Sequence, residues 1–150
     1  MHQSRPMAPR LATIGYEGKT LDELLDQLGD AGVELLIDVR AVAASRRPGF
    51  SKTALAGALR ERGIDYLHLR PLGTPKAGRE AARKGRTGEM HAIYERHLEE
   101  AEAQLAFEQA DAAARERPAA LLCYERAWQE CHRAILADRL AERGHVIAHL

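Results

Sequence analysis

The chain lacks most of the features that mark a protein's class at first sight. It has two cysteines in 150 residues, too few for a disulfide framework. Reduced thiols and a cytoplasmic location are therefore expected. No apolar run approaches the length of a membrane span. Met1 to Arg10 carries arginine and proline but no apolar core of the kind a signal peptide needs. Lysine plus arginine equals aspartate plus glutamate, so the formal net charge is zero. The overall basic excess usual in a nucleic-acid binder is missing. No Gly-x-Gly-x-x-Gly follows the first apolar run, which excludes the common dinucleotide fingerprint. No nucleophile elbow supports a Ser-His-Asp triad. There are no internal repeats.

What is present fits one globular domain with a real core. Residues 1–10 read as a disordered arm and residues 11–150 as a single α/β domain. Leu11 to Ile14 is a short apolar run ending at Gly15. Thr20 and Glu23 have the spacing of a capping box, and Leu21, Leu24, Leu25 and Leu28 follow at helical spacing. Gly32 suits the left-handed residue past that helix. Glu34 to Val39 reads as a second strand, ending in Asp38-Val39-Arg40. Ser51 is placed to cap a helix over Ala54, Leu55, Ala58 and Leu59. Ile64 to Leu69 is a third strand. A long helix then carries Met90, Ile93, Tyr94, His97, Leu98, Ala101 and Leu105, up to Pro118. Ala119 to Tyr124 is a fourth strand. A helix from about Trp128 to Gly144 and a strand from His145 to Leu150 close the chain. Alternating strands and helices predict a three-layer, Rossmann-like domain, with a mostly parallel five-stranded sheet and helices on both faces. The expected strand order is 3-2-1-4-5, with 2-1-3-4-5 as the alternative.

Charge is unevenly placed. Between Arg70 and Gly88 stand Arg70, Lys76, Arg79, Arg83, Lys84 and Arg86 against the single acid Glu80. The segment has two prolines and four glycines, and residues 73–88 are expected to form a mobile or only partly helical lid beside the crevice. The helix after it is acidic. The bland reading is a solvated loop followed by a solvated helix face.

In a parallel sheet the strand C-termini share one edge. That edge should gather Tyr16, Glu17, Asp38, Arg40, His68, Arg70, Cys123 and Glu125, with Arg46, Arg47 and Cys131-His132-Arg133 from adjoining loops. Several arginines suited to bidentate anion contacts, beside a helix N-terminus, point to an anionic ligand. Each residue also has a quieter reading. Asp38 would pair with Arg40. His97, His145, His149 and Trp128 would be structural. Cys123 would be a small buried hydrophobe. Cys131 is expected in the first turn of the last helix, where a thiol is activated, or else buried there as packing. Cys123, Cys131 and His132 could ligate zinc, but their gap is no recognised finger spacing and no fourth ligand is evident. No metal and no cofactor are expected. A phosphate-cradling thiol loop is disfavoured because no glycine lies between Cys123 and Arg133.

Thr13-Ile14-Gly15-Tyr16 with Thr20-Leu21, Asp38-Val39-Arg40, Ser45-Arg46, Phe50, Leu72-Gly73, Leu122-Cys123-Tyr124-Glu125 and Cys131-His132-Arg133 occur in that order. Together they resemble the domain-of-unknown-function family numbered 488, across residues 11 to 150. The resemblance implies a compact α/β domain and singles out Asp38, Arg40, Ser45, Arg46, Cys123, Glu125, Cys131, His132 and Arg133; it implies no activity. Ala43 stands where many members have proline. Thr74 stands where a second glycine is usual, which speaks against a close backbone contact at that turn.

The leading expectation is an enzyme acting on a phosphorylated or nucleotide-like anion. Arg40, Ser45, Arg46, Arg133 and Cys123 would bind it. Cys131 or His132 would act as nucleophile or acid/base, with Glu125 or Asp38 as partner carboxylate. The alternatives are a non-catalytic module binding nucleic-acid phosphates through residues 70–88, and a structural or adaptor domain.

Overall fold

A computed structural model describes residues 10–150. The arm expected over residues 1–10 lies outside the described residues except for Arg10, which opens the first strand. The elements in order are β1 (Arg10–Gly15), α1 (Leu21–Asp30), β2 (Leu35–Asp38), α2 (Lys52–Glu61), β3 (Asp65–His68), α3 (Lys76–Arg83), α4 (Thr87–His97), α5 (Ala101–Glu116), β4 (Ala119–Cys123), α6 (Arg133–Glu142) and β5 (Val146–His149). Short 3-10 turns at Arg70–Leu72 and Trp128–Glu130 precede α3 and α6.

All five strands are parallel, in the order β3-β2-β4-β1-β5. This corrects both expected orders: β4 inserts between β2 and β1. Composition explains the choice. Every residue of β4, Ala-Ala-Leu-Leu-Cys, is buried, as a strand covered on both faces requires. In β5, Val146 is 52% exposed, which suits an edge.

Side-chain alternation splits the core into two layers. Leu11, Leu35, Ile37 and Leu121 face Tyr94, Leu98, the alanines of α5, and Leu136 and Leu140 of α6. Ala12, Ile14, Leu36, Ala120 and Leu122 face Leu24, Leu25 and Leu28 of α1 and Leu55 and Leu59 of α2. Each fully buried leucine contributes about 1.5–3 kcal/mol of apolar burial. Ala103, Ala106, Ala110 and Ala114 are the buried face of α5, and their small size brings the helix close to the sheet.

The capping box forms at α1: Glu23 N–H donates to Thr20 Oγ1 at 3.1 Å, and Thr20 N–H to Glu23 Oε1 at 3.0 Å. Gly32 has φ 72°, the left-handed turn expected there. Ser51 is in place ahead of α2 but makes no side-chain cap. Its hydroxyl instead donates to Ser45 O at 3.1 Å and accepts from Ser45 N–H at 3.0 Å, closing the loop before it. The single long helix expected from Met90 is two helices, α4 and α5, because the turn at 98–100 reorients the chain. The segment 73–88 is partly helical: it holds α3 and the first two residues of α4. Leu72, Gly73, Thr74, Gly78 and Ala81 are buried, and those contacts hold α3 down.

Candidate functional site at the strand ends

The strand order places the site. From β1 the chain moves to β2 and then β3 on one side, with α1 and α2 on one face. From β4 it moves to β5 on the other side, with α6 on the opposite face. Neighbouring strands β2 and β4 therefore send their connections apart, toward β3 and toward β5, and the gap beyond their C-terminal ends is where α/β sheets form ligand crevices. Gly15 of β1 pairs with Cys123 at the end of β4.

The chain after Cys123 crosses directly over β1. A Cβ at residue 15 would overlap the Glu125 carbonyl and approach Arg133 Nη1. Gly15 thus supplies the close approach that the glycine-free stretch 124–132 cannot. Gly73 does the same beside β2, where a Cβ would overlap the Ala41 backbone. The Leu72-Gly73 turn is a close backbone contact after all, and Thr74 beside it is buried.

Asp38 is completely buried. Its carboxylate accepts from Arg40 Nε at 2.9 Å, Arg40 Nη2 at 2.7 Å, Arg40 N–H at 3.0 Å and Tyr66 Oη at 2.5 Å. Arg40 Nη1 donates to Phe50 O at 2.8 Å, and His68 Nε2 donates to Arg40 O at 2.8 Å. Burial pulls the Arg40 guanidinium down, but the bonds and charge of Asp38 more than offset it, and its pKa is raised. Burial, then Asp38, raises the Tyr66 phenol. This network holds the β2 end rigid and commits both of its charges.

The loop carrying Ser45 and Arg46 folds onto itself. Ser45 Oγ accepts from Arg47 N–H at 3.1 Å, and Arg46 is exposed. Arg47, rather than Arg46, reaches the strand ends. Its Nη1 donates to Tyr16 O at 2.8 Å, and its guanidinium lies 4.6 Å from the Phe50 ring.

The second cluster lies beside Gly15. Cys123 and Cys131 face each other sulfur to sulfur, with their Cα atoms 7.5 Å apart. The end of β4 and the turn before α6 bring the two sulfurs together. Cys131 lies ahead of α6 rather than in its first turn, because His132 takes the cap position. Arg133 is wholly buried. Its Nη1 lies 3.3 Å from Cys123 Sγ, its backbone N–H 3.5 Å from Cys131 Sγ, and its Nη2 donates to Arg126 O at 3.1 Å. Arg133 Nε has no partner. Burial lowers the Arg133 pKa to about 10, against the opposing charge of Glu125; it remains a cation at neutral pH. Burial raises the Glu125 carboxyl. Burial lowers His132 to about 4, so its ring is neutral at pH 7; Nε2 donates to Val39 O at 3.0 Å. A Glu125 carboxylate oxygen and the two sulfurs all lie within 4.8 Å of one another. No such cluster of three metal-capable donors occurs elsewhere among the described residues.

Two cavities open here. One, of about 520 Å³, is lined by Thr74, Arg79, Arg83, Tyr124, Glu125 and His132 among others. A smaller one, of about 140 Å³, shares Thr74, Arg79, Tyr124, Glu125 and His132 and reaches Tyr16, Arg40 and Cys123. The structure therefore brings Arg40, Cys123, Glu125 and His132 to one crevice. Asp38, Cys131 and Arg133 are buried behind the residues that line it, and neither Ser45 nor Arg46 lines it. Arg79 and Arg83, which the sequence offered only as part of a phosphate-binding segment over 70–88, line the larger cavity. Gly78 and Ala81, three residues apart and buried, were the available signal for α3. Trp128 is a half-buried plate rather than a core plug, stacked 3.9 Å from the His149 ring. His97 Nε2 donates to Pro71 O at 2.6 Å.

No described helix is long and apolar enough to cross a membrane. No curated protein and no solved structure matches the chain. The sequence profile of the domain of unknown function DUF488 matches residues 20–140, a span that holds every candidate site residue from Asp38 to Arg133, and the chain belongs to that family.

Proposed function

We propose that the chain is an enzyme acting on a small anionic substrate bound in the crevice beyond β2 and β4. One observation carries the reading: a cavity of about 520 Å³ at that crevice has Arg79 and Arg83 on one wall and Glu125 and His132 on the other. That volume suits a small molecule. Arg79 is oriented by its Nη1 bond to Thr74 O at 2.8 Å, and Arg83 is exposed at the mouth. These two cations have no carboxylate of their own in the cavity wall comparable to the Asp38 that holds Arg40. The anion-binding role expected of Arg40, Arg46 and Arg133 accordingly passes to Arg79 and Arg83, with Arg40 and Arg133 contributing charge from behind. Asp38 becomes a positioning residue. Glu125 and His132 are the groups that face the bound anion.

The test is calorimetric titration with adenosine monophosphate, adenosine and inorganic phosphate. Binding of the two phosphates but not of adenosine is expected. The Arg79→Ala/Arg83→Ala variant should weaken it at least about 10-fold, the loss of one or two charge-assisted contacts. Phosphate affinity unchanged in that variant, or absent in the parent chain, defeats the reading. Salt-sensitive binding of a single-stranded oligonucleotide in place of the monophosphate would favour a binding module instead.

A further inference from the structure

We propose that the reduced Cys123–Cys131 pair, together with Glu125, is a binding site for a zinc-class divalent cation. The inference deepens the reading above by giving Glu125 a part as ligand. It rests on the donor cluster and not on the arginines.

Four observations converge. The first is the donor set. Two cysteine sulfurs and a carboxylate oxygen lie mutually within 4.8 Å, and two thiolates with one carboxylate suit a borderline-soft ion such as Zn²⁺. The second is the span of the backbone. The two Cα atoms are 7.5 Å apart, wider than the roughly 4.4–6.8 Å that disulfides usually bridge. The same backbone leaves room for an ion between the sulfurs once they are free. The third is the support around the sulfurs. Arg133 directs Nη1 to Cys123 Sγ at 3.3 Å and its backbone N–H to Cys131 Sγ at 3.5 Å. Such N–H donors stabilise thiolates and orient metal ligands. The buried cation also balances charge, since two thiolates, one carboxylate and a divalent ion sum to one negative charge beside one guanidinium. The fourth is access. Cys123 and Glu125 both line the smaller cavity, so three protein ligands would leave a position open toward it, the arrangement of a catalytic rather than a purely structural site. His132 Nδ1 lies 3.6 Å from Cys131 Sγ, while its Nε2 is held by Val39 O. It is the nearest further ligand if the site closes.

Loading needs both thiols free, and an oxidised pair is first reduced. A small dithiol supplies two electrons and two protons, the sulfur–sulfur bond breaks, and the reductant closes to its own disulfide. Each protein thiol then gives its proton to solvent as the cation binds.

The test uses the full chain, reduced with dithiothreitol, freed of reductant without air, and titrated with Zn²⁺ against a chromophoric chelator and separately with Co²⁺. One equivalent should bind, and the Co²⁺ form should show sulfur-to-cobalt charge transfer with tetrahedral ligand-field bands. Cys123→Ser and Cys131→Ser should each weaken Zn²⁺ binding at least about 100-fold, the upper end of what second-sphere changes cost, and diminish the charge-transfer band. Glu125→Gln, at a half-buried position and so the mildest for folding, should keep that band and weaken binding about 10-fold or more. Far-UV circular dichroism identifies any variant that fails to fold. No metal uptake by the reduced parent chain, or equal affinity in Glu125→Gln and the parent, overturns the proposal. The Arg79→Ala/Arg83→Ala variant separates the two readings. In that variant, zinc retained with phosphate lost supports both; in the parent chain, phosphate binding without zinc binding sinks only the metal site, and zinc binding without phosphate binding sinks only the anion reading.

Discussion

The two ends of the sheet use the same residue types to opposite effect. Where the strands begin, Asp111 of α5 meets His145, just ahead of β5, at 2.6 Å; Arg115 at 3.1 Å; and Arg143 at 3.3 Å. Arg143 in turn holds Glu108 at 2.7 Å, and Arg115 Nη2 donates to the Arg143 carbonyl. The nearby surface groove is lined by Glu108 and Arg143 but does not reach Asp111 or His145. Where the strands end, Asp38 and Arg40 form a comparable closed pair, but a second layer stands in front of it. There Glu125, Cys123 and His132 line open space, and buried Arg133 keeps an unpartnered Nε. Both ends also leave buried nitrogens over, His145 Nδ1 at the first, and Arg133 Nε and His91 Nε2 at the second. What separates a clamp from a candidate site is thus neither charge nor burial. It is donor groups facing a cavity after the structural pairs are complete.

The largest expected effect tests whether the Asp38 layer is structural. Asp38→Asn leaves Arg40, 6% exposed, as a buried cation without its anion, and breaking one side of such a pair costs about 3–5 kcal/mol. Urea unfolding should show that loss, with the slope of the transition unchanged. A loss under about 1 kcal/mol, typical of exposed pairs, would mean Arg40 is served by Phe50 O and water, and Asp38 would return as a group free for chemistry.

Gly15→Ala comes next. Its φ is not in the left-handed region, so the objection is space alone: the new Cβ meets the Glu125 carbonyl. Backbone cannot yield as a side-chain tip can, and overpacking of this kind costs about 1–3 kcal/mol or more. Gly29→Ala in α1, with nothing within 4 Å of its added Cβ, should instead gain about 0.5–1 kcal/mol through helix propensity. Thermal melts of the pair should move in opposite directions. Equal shifts would mean that the 124–132 loop adjusts freely, and the crevice would lose its fixed floor.

These residues also show what could be read from the chain beforehand. The parallel α/β class, the α1 cap and the gathering edge followed from local signals: a capping box four residues long, from Thr20 to Glu23, apolar runs, and alternation of strand with helix. Strand order did not follow, because it depends on which strand tolerates burial on both faces. The uniformly apolar β4 answers that only in comparison with β5. The role of Gly15 was hidden because its neighbour, Glu125, is remote in sequence. Arg79 and Arg83 were legible as part of a phosphate-contacting segment but not as the wall of a cavity, since a stretch rich in glycine and proline reads as a loop until Leu72, Thr74 and Ala81 are seen to anchor it. The cysteine pairing could not be read at all: the spacing fits no known motif, and the turn that closes it is shaped by Gly15 on another strand.

The smallest effect tests the clamp at the other end. Burial raises the Asp111 carboxyl, but the His145 bond and the charges of Arg115 and Arg143 more than offset it, and its pKa lies below the ordinary 3.8. The unfolded chain, with its carboxyl near ~3.9, therefore takes up the proton first as the solution is acidified. The stability Asp111 contributes is fully present above that unfolded value and is lost as the pH falls through the folded one. Asp111→Asn should be less stable than the parent by about 1–2 kcal/mol at neutral pH, the scale of a few hydrogen bonds to a charged group. The gap should stay constant from pH 7 to about 5 and close below about 4. Urea midpoints for both proteins across that range decide it. A gap of the same size at pH 3 and pH 7 would mean that the clamp works through packing and geometry, and the contrast between the two ends would then lie in space alone and not in how their charges are used.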